Sequence, residues 1–424
     1  MNRFLILMVM ISSVLCAKGT VYENVSVEDG DVAIIIEENA PQYPEYKNMP
    51  RFAIVGKDKQ FYLNIGATLK TTASFDWGNP YDNPSLFIPG DFSKASEGSG
   101  GLLQMTAKRS LVHFNFLALP NSSNRLGVYI AINFTGDGNN YGVQLYNAYI
   151  KYRGFTIGYN NTLYGDAAAL PYTIDSQGPN SISGSWNTVL DYEYNFTSMV
   201  KGGIGLELPM TSITSTSNTI IKELVVSSAE EVTQRIPDIP AYIQVANSDW
   251  GHLRFSAIMR NMEYRDEVSE KNHNSVGWGV KISGSGKMGN LQLFGMAQYG
   301  EGIASYLQDN IGLGLDMVPN GVVAGEMKNT RSWGGFLAAQ YNFTPKFFTT
   351  IGYSHLRNYM DEYSGGDVEY ADQYSWGQYA VANMIYSIRP NIKFGMEYLY
   401  GRRVNFSDEQ IGNNRISAMF LVAF

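Results

Sequence analysis

An alternation of apolar and polar residues runs through FYLNIGATLKTTASFDW, from Phe61 to Trp77. Apolar residues hold most odd positions and polar residues hold most even positions. A period of two indicates a β-strand, because successive side chains of a strand point to opposite faces of the sheet. The segment has 17 residues, whereas strands of globular proteins usually have about 3–10 residues. A strand this long, apolar on one face, is typical of a sheet that crosses a bilayer at a tilt.

The same alternation recurs to the last residue of the chain. It predicts sixteen strands, at 61–77, 103–118, 125–134, 142–153, 155–163, 187–196, 199–209, 238–248, 250–262, 274–285, 289–299, 329–343, 346–357, 373–387, 391–401 and 413–424. An unpaired backbone group costs several kcal/mol in hydrocarbon, so the sheet has to close on itself. The sequence therefore predicts an all-β fold, a transmembrane antiparallel β-barrel of about 16 strands.

Short and long connections alternate between these strands. The short ones lie at 120–124, 153–154, 197–198, 248–249, 285–289, 344–345 and 389–391, and the long ones at 78–102, 164–186, 210–237, 263–273, 300–328, 358–372 and 402–412. Outer-membrane barrels have short periplasmic turns and longer external loops. This layout predicts a multi-pass β-barrel in the outer membrane of a Gram-negative cell, in contact with outer-membrane lipid.

The two ends of the chain carry targeting signals. Arg3, the apolar run 4–15 and the small residues that follow predict a signal peptide at 1–17, with a lipoprotein role for Cys16 as the alternative. An acidic, proline-containing periplasmic lead-in is expected at 18–60, and the barrel domain at 61–424. The last strand ends on Phe424, an aromatic terminus that resembles the signal read by the outer-membrane assembly machinery.

Composition narrows the function classes. The formal net charge of −8 argues against nucleic acid as a partner, since nucleic-acid binders show a basic patch or stripe. The four histidines stand on separate segments, with no G-x-S-x-G motif and no metal-type spacing. We therefore expect no catalytic residue, metal or cofactor, and a channel rather than an enzyme. A barrel with an enzymatic role and a barrel with an adhesive or structural role are the alternatives.

Residue parity within the strands predicts which charged side chains line the water-filled interior. Arg or Lys on the lipid face costs about 2–4 kcal/mol at the bilayer midplane, so cations within strands should face the lumen. On this basis the predicted pore-lining residues are Lys70, Asp76, Arg109, His113, Arg125, Arg254, Arg260, Lys393, Glu397 and Arg415. Together such side chains set the electric field that selects solutes.

The third long connection, 164–186, is a candidate constriction. The third loop of trimeric porins commonly folds inward and narrows the pore. Asp166 and Asp175 would then oppose the basic wall and create a transverse field. The alternative is a surface loop with two solvated aspartates.

Three segments resemble the DcaP-like porins of Gram-negative outer membranes. The segment from Arg125 to Asp166, RLGVYIAINFTGDGNNYGVQLYNAYIKYRGFTIGYNNTLYGD, resembles a strand pair of that family, and TIDSQGPNS resembles its third loop. The C-terminal hairpin GMEYLYGRRVNFSDEQIGNNRISAMF resembles the family through residues that include Glu397, Arg403 and Arg415.

This resemblance implies a sixteen-stranded homotrimer that passes small hydrophilic solutes, as a general or substrate-preferring diffusion porin. It further implies a preference for small organic anions such as dicarboxylates. Two positions depart from the family pattern. Gln144 and Tyr146 stand where the fourth strand of the family has a basic, pore-facing run, and Ala131 stands where its third strand has an acid. The lumen is therefore expected to be less charged there.

Overall fold

The computed structural model describes most of the chain beyond residue 51. The described residues are 40, 52–56, 59–96, 100–120, 122–136, 140–208, 211–213, 219–221, 224–226, 229–231, 234–266, 269–319, 326–360 and 372–424. The predicted signal peptide at 1–17 and most of the predicted lead-in at 18–60 lie outside these ranges.

Antiparallel β-strands account for nearly all the regular structure. They are β1 Phe52–Val55, β2 Phe61–Gly78, β3 Leu102–Thr106, β4 Leu111–Ala118, β5 Leu126–Asn133, β6 Gln144–Tyr152, β7 Phe155–Asn161, β8 Trp186–Asn195, β9 Val200–Glu207, β10 Thr219–Ile221, β11 Leu224–Val226, β12 Ala229–Glu231, β13 Ile239–Asn247, β14 Gly251–Asp266, β15 Lys271–Met288, β16 Leu291–Glu301, β17 Met317–Pro319, β18 Met327–Asn329, β19 Arg331–Thr344, β20 Phe347–Tyr359, β21 Tyr374–Arg389, β22 Ile392–Asn405 and β23 Gln410–Ala423. In the part of the chain that the structure describes, single 3₁₀ turns lie at Pro89–Asp91, Ala167–Ala169, Ala304–Tyr306 and Gln308–Asn310. Within the described ranges, no helix is long and apolar enough to cross a bilayer.

The main sheet closes into a barrel. Each strand pairs with its neighbour around the ring, and β2 pairs with β23 from Thr68↔Ala423 to Gly78↔Asn413. β3 and β4 share one position beside β2, so the described strands form sixteen positions in the ring. The predicted closed, sixteen-stranded antiparallel barrel is confirmed.

Burial alternates along the strands as a barrel in lipid requires. On β2, Lys70 and Asp76 face inward and are almost fully buried, whereas Leu69 and Phe75 face outward and are about half exposed. The apolar outer face suits hydrocarbon and the polar inner face suits water and polar loops. The side-chain period of two thus fixes which residues can reach the lumen.

The strand bounds differ from the predicted ones in several places. The predicted strand 103–118 is interrupted at residues 107–110, where the Ser110 hydroxyl accepts a hydrogen bond from the Lys70 amide at 3.1 Å. The connections predicted at 263–273 and 402–412 are shorter than expected. Their flanking strands continue pairing as far as Asp266↔Lys271 and Val404↔Gln410, because outer-membrane strands can extend their ladder beyond the hydrocarbon.

The described parts of the lead-in contact the barrel. β1 pairs with β2 from Phe52↔Ile65 to Val55↔Tyr62, on the edge of β2 that β23 leaves unpaired. Ala40 packs against the inner-face cluster of Leu111, Tyr129, Ala131 and Tyr149. This apolar cluster includes Ala131, the position at which the family pattern predicts an acid.

Candidate functional site

Three of the long connections fold into the barrel rather than away from it. Their described parts lie within 79–101, 162–185 and 302–330, and they are called the inward loops below. They also contact one another: the Gly90 amide donates to Asp309 Oδ2 at 3.0 Å, and the Gln308 amide donates to the Ile182 carbonyl at 3.0 Å. The inward loops therefore form one connected body inside the ring.

The second inward loop, 162–185, crosses the lumen. It leaves β7 and returns to β8, yet Gln298 of β16 donates to the Ser181 carbonyl at 2.6 Å. Asn383 of β21 donates to the Tyr172 carbonyl at 2.9 Å. Because β21 lies on the far side of the ring from β7, the loop spans the interior and lies against the opposite wall.

Asp166, at the start of this loop, faces a basic part of the wall. Its Oδ2 lies 2.9 Å from His252 Nε2 and accepts a hydrogen bond from Ser283 Oγ at 2.6 Å. Burial alone would raise the pKa of Asp166, but the His252 hydrogen bond and the charges of Arg254 and Lys281 hold this pKa below its ordinary value. Asp166 is thus an ionised carboxylate that fixes the loop to β14 and β15.

Asp175, further along the loop, lies away from that basic wall. Its carboxylate accepts hydrogen bonds from the Phe87 amide at 3.0 Å and from the Gln177 amide at 3.1 Å. Glu397 of β22 accepts from the Ile174 and Asp175 amides, each at 2.7 Å. Burial raises the pKa of Asp175. This carboxylate serves loop packing, in contrast to the field-forming role that the sequence suggested.

Two predicted arginines are buried in ion pairs that hold the other inward loops. Arg415 makes a bidentate pair with Asp76 at 2.6 and 2.9 Å and also donates to the Leu86 carbonyl at 2.9 Å. Arg260 lies 2.9 Å from both Asp238 and Asp316, with all three side chains excluded from solvent. Both arginines face inward, and their charges are used to anchor loop backbone and loop carboxylates.

The remaining predicted residues of the inner face have mixed surroundings. Lys70 Nζ donates to Ser176 Oγ at 3.0 Å, and Lys393 Nζ lies 5.1 Å from the Tyr172 ring centre, so both contact the 162–185 loop. Arg109 lies in the turn between β3 and β4. The other contacts are His113 stacked on Tyr129 at 5.9 Å, Tyr146 packed on Trp186 at 5.4 Å, and Gln144 hydrogen-bonded by the Thr135 hydroxyl.

An open cavity lies beneath the 162–185 loop, along β5–β9. This cavity has a volume of about 660 Å³. Five cationic side chains and three carboxylates line it: Arg125, Lys151, Arg153, Lys201, Arg254, Asp166, Asp191 and Glu193. A second cavity of about 90 Å³ lies along the same loop. Asn161, Asp166 and Ala167 line both, so these residues stand between the two spaces.

Only Arg125, Arg254 and Asp166 among these eight were singled out from the sequence. The alternation of inward and outward side chains could have identified more of these charged residues, because Lys151 lies between the exposed Ile150 and Tyr152. Asp191 alternates in the same way with Leu190 and Tyr192. Within the described residues, no group of three or more His, Cys, Asp or Glu side chains is placed to hold a metal ion.

Comparisons with known proteins agree with this architecture. The family model described as "Porin subfamily" matches residues 114–419. The crystal structure of the outer membrane channel DcaP of Acinetobacter baumannii is 18% identical, with 88% of this chain and 99% of that chain covered and a TM-score of 0.73. No curated protein sequence matches the chain.

Two further solved structures share the fold at lower similarity. The anion-selective porin from Comamonas acidovorans is 8% identical, covering 86% of this chain and 100% of that chain, with a TM-score of 0.53. OmpF of Salmonella typhi is 13% identical, covering 88% of this chain and 100% of that chain, with a TM-score of 0.51. At these identities the structural similarity supports the fold alone.

Proposed function

Because this chain belongs to the porin subfamily and is a diffusion porin of the outer membrane, we propose that its pore prefers small organic anions, dicarboxylates among them. The observation that carries the proposal is the excess of cations on the 660 Å³ cavity, five against three carboxylates. A charged, water-filled passage with low-dielectric walls concentrates solutes of the opposite sign.

The carboxylates of this cavity are also partly neutralised by neighbours. Asp166 is bound by His252, and Glu193 lies 3.9 Å from Lys201 Nζ. A passing anion therefore meets a wall whose uncompensated charge is positive. The relative from Comamonas acidovorans is described as anion-selective, and the same preference is proposed for this chain on the basis of its own cavity.

The proposed constriction is the strip of Asn161, Asp166 and Ala167. It separates the two cavities, and the loop that carries Asp166 and Ala167 is fixed to the opposite wall by Gln298 and Asn383. A loop held at both walls gives an aperture of constant size. We expect a steep loss of permeability for solutes wider than this aperture.

The proposed oligomer is a homotrimer that buries the short side of the barrel. β5, β7 and β9 have 8, 7 and 8 residues, whereas β14, β15 and β21 have 16, 18 and 16. Eight residues at about 3.3 Å each, tilted by about 40°, span roughly 20 Å, less than the apolar band of about 25 Å. Contact with other copies would remove this short side from lipid.

No catalytic role is proposed, although one histidine contacts a serine and an aspartate as in a hydrolytic triad. His252 Nδ1 lies 3.0 Å from Ser285 Oγ, and its Nε2 lies 2.9 Å from Asp166. Ser285 sits inside the sheet, paired with His252 on one side and Phe294 on the other, so its backbone serves the strand ladder rather than an oxyanion. The contact is proposed to anchor the loop.

We also propose roles in export and membrane insertion for the segments of the chain. A signal peptide at 1–17 would direct export, and the assembly machinery would insert the 61–424 barrel. The periplasmic lead-in at 18–60 would stay beside the barrel, as the β1–β2 pairing and the packing of Ala40 support.

The test is the reversal potential of purified protein in planar bilayers under a KCl gradient. We expect discrete conductance steps, a reversal potential that shows selectivity for chloride over potassium, and block of the current by succinate. A channel that conducts but prefers potassium would contradict the anion preference. A silent bilayer would favour the adhesive or structural alternative.

A further inference from the structure

One carboxylate on the wall of the 660 Å³ cavity has a buried oxygen without a hydrogen bond. Asp191 of β8 is only 3% exposed, and its Oδ1 has no hydrogen-bond partner among the described residues. The side chain lines the 660 Å³ cavity. A buried carboxylate oxygen without a hydrogen bond is costly, so a site of this kind is completed by a ligand that supplies a donor.

The neighbouring strand leaves room for this carboxylate beside the cavity. Asp191 is paired with Gly205 of β9, and a Cβ at Gly205 would lie 2.2 Å from Asp191 Oδ1. Any side chain larger than hydrogen at 205 would therefore displace the acid. The glycine provides the room that Asp191 occupies beside the cavity.

The same cross-strand row presents a cation. Pairing places Gly127, Lys151, Thr156 and Asp191 in line across β5–β8, and all four line the cavity. Lys151 and Asp191 are two strand spacings apart, about 10 Å between Cα atoms. The residue between them is the small Thr156. The row thus presents a cationic side chain and a carboxylate to a single solute that lies across it.

We propose that Asp191 binds an ammonium group and that the cavity selects amino-substituted dicarboxylates over plain dicarboxylates. This inference rests on the proposed function, because the carboxylates of the solute would be held by the excess cations, Lys151 among them. The ammonium group would donate to Asp191, satisfying its unpaired oxygen. A charge-assisted hydrogen bond of this kind adds specificity for the group that makes it.

The test compares L-aspartate with succinate, which share a four-carbon dicarboxylate skeleton and differ by the amino group. The concentration that halves the KCl current is measured for each solute in wild type and in Asp191→Asn. We expect Asp191→Asn to raise the value for aspartate about tenfold, the loss of one charged hydrogen bond, and to leave the value for succinate unchanged or lower. Asp249→Asn, in the exposed turn between β13 and β14, should change neither value.

Two results would overturn the inference while leaving the anion preference intact. One is an equal change in the half-blocking concentration of both solutes. This result would show that Asp191 acts on solutes through its charge alone or binds an alkali cation. The other is no change for either. Loss of chloride preference in the wild type would instead contradict the proposed function.

A second measurement keeps the inference testable if Asp191→Asn does not assemble. In the wild-type channel, ethanolamine carries the ammonium group without a carboxylate. We expect ethanolamine to weaken block by aspartate and not block by succinate. Equal competition with both solutes, or with neither, would contradict an ammonium site at Asp191.

Discussion

The two sides of the barrel use inward-facing charges in opposite ways. The inner faces of β2 and β14–β23, the anchored wall, carry Arg415 and Arg260 in ion pairs of 2.6–2.9 Å that are almost fully buried. The inner faces of β5–β9, the open wall, carry the Lys201–Glu193 pair at 3.9 Å, with the two side chains 39% and 35% exposed. Parity is the same on both sides, so an inward direction does not by itself make a residue part of the solute path.

The contrast between the two walls indicates that the inward loops decide the role of each charge. Where a loop lies against the wall, the charge is desolvated and must be paired with loop atoms. Where the wall is open to the cavity, the charge is proposed to act on solutes through water. Stability and selectivity should therefore respond to mutations on different sides of the ring.

The largest expected effect is on the anchored wall, at Arg415. Arg415→Gln leaves Asp76 buried without its countercharge and should lower the free energy of unfolding by about 3–5 kcal/mol. The measurement is the guanidinium midpoint of refolded barrel by tryptophan fluorescence. Arg402→Gln, whose guanidinium contacts Gln410 at the exposed end of β22, is the matched control. A midpoint shift for Arg415→Gln no larger than that for Arg402→Gln would contradict the proposed difference between the two walls.

The next effect in size is on the loop anchor Glu397. Glu397→Ala leaves the Ile174 and Asp175 amides without their acceptor and should cost about 2–3 kcal/mol. The 162–185 loop should then fluctuate, which single-channel recordings would register as increased open-state noise. Glu409→Ala, at a partly exposed surface pair with Lys94, should leave both stability and noise unchanged. Quiet currents in Glu397→Ala would show that the loop is held elsewhere.

On the open wall, stability should hardly change. Lys201→Gln removes a partly exposed charge from a 3.9 Å pair, and pairs of this kind contribute less than about 1 kcal/mol. Arg260→Gln, on the anchored wall, should cost several times more because Asp238 and Asp316 would remain buried. Equal unfolding midpoints for the two variants would contradict the division between the walls.

The smallest expected effect is a pH dependence at Asp175. Its raised pKa means that the folded protein favours the protonated acid. The stabilising contribution of Asp175 is therefore fully present below the ordinary aspartate pKa of about 4 and is lost as pH rises through the raised value. The charged and titratable groups facing it are Glu397, Tyr379 and Arg415.

The corresponding measurement is the difference in unfolding midpoint between wild type and Asp175→Asn at pH 4.5 and pH 7.5. We expect this difference to shrink at the higher pH, because the wild type then carries a buried negative charge beside Glu397. A difference that grows with pH would show that backbone amides, rather than burial, dominate at Asp175.

Much of the fold follows from the sequence because lipid and water impose a strict side-chain period. The alternation around Lys70, Asp76 and Arg415 predicts which residues face inward, and these side chains are buried on the inner face. The same rule, applied to every strand, would also have found Lys151 and Asp191. Parity fails at the start of β6, where a register shift opposite Ala131 and Ile132 interrupts the alternation between Leu145 and Asn147.

The role of the loops could not be predicted from local pattern. Arg415 donates to the carbonyls of Asn83 and Leu86, and nothing in the strand signals that the described part of the following connection turns inward to meet it. Asp175 likewise looks like a solvated loop acid until its contacts with Phe87 and Gln177 are known. These contacts join residues far apart in sequence, so they depend on the closed ring.

The most direct test of the account is the reversal potential in a KCl gradient for wild type and for the double variant Lys151→Gln, Lys201→Gln. If the open wall sets selectivity, the wild type prefers chloride and the double variant shifts strongly toward potassium with its unfolding midpoint nearly unchanged. An unshifted reversal potential in a folded, conducting double variant would contradict the account.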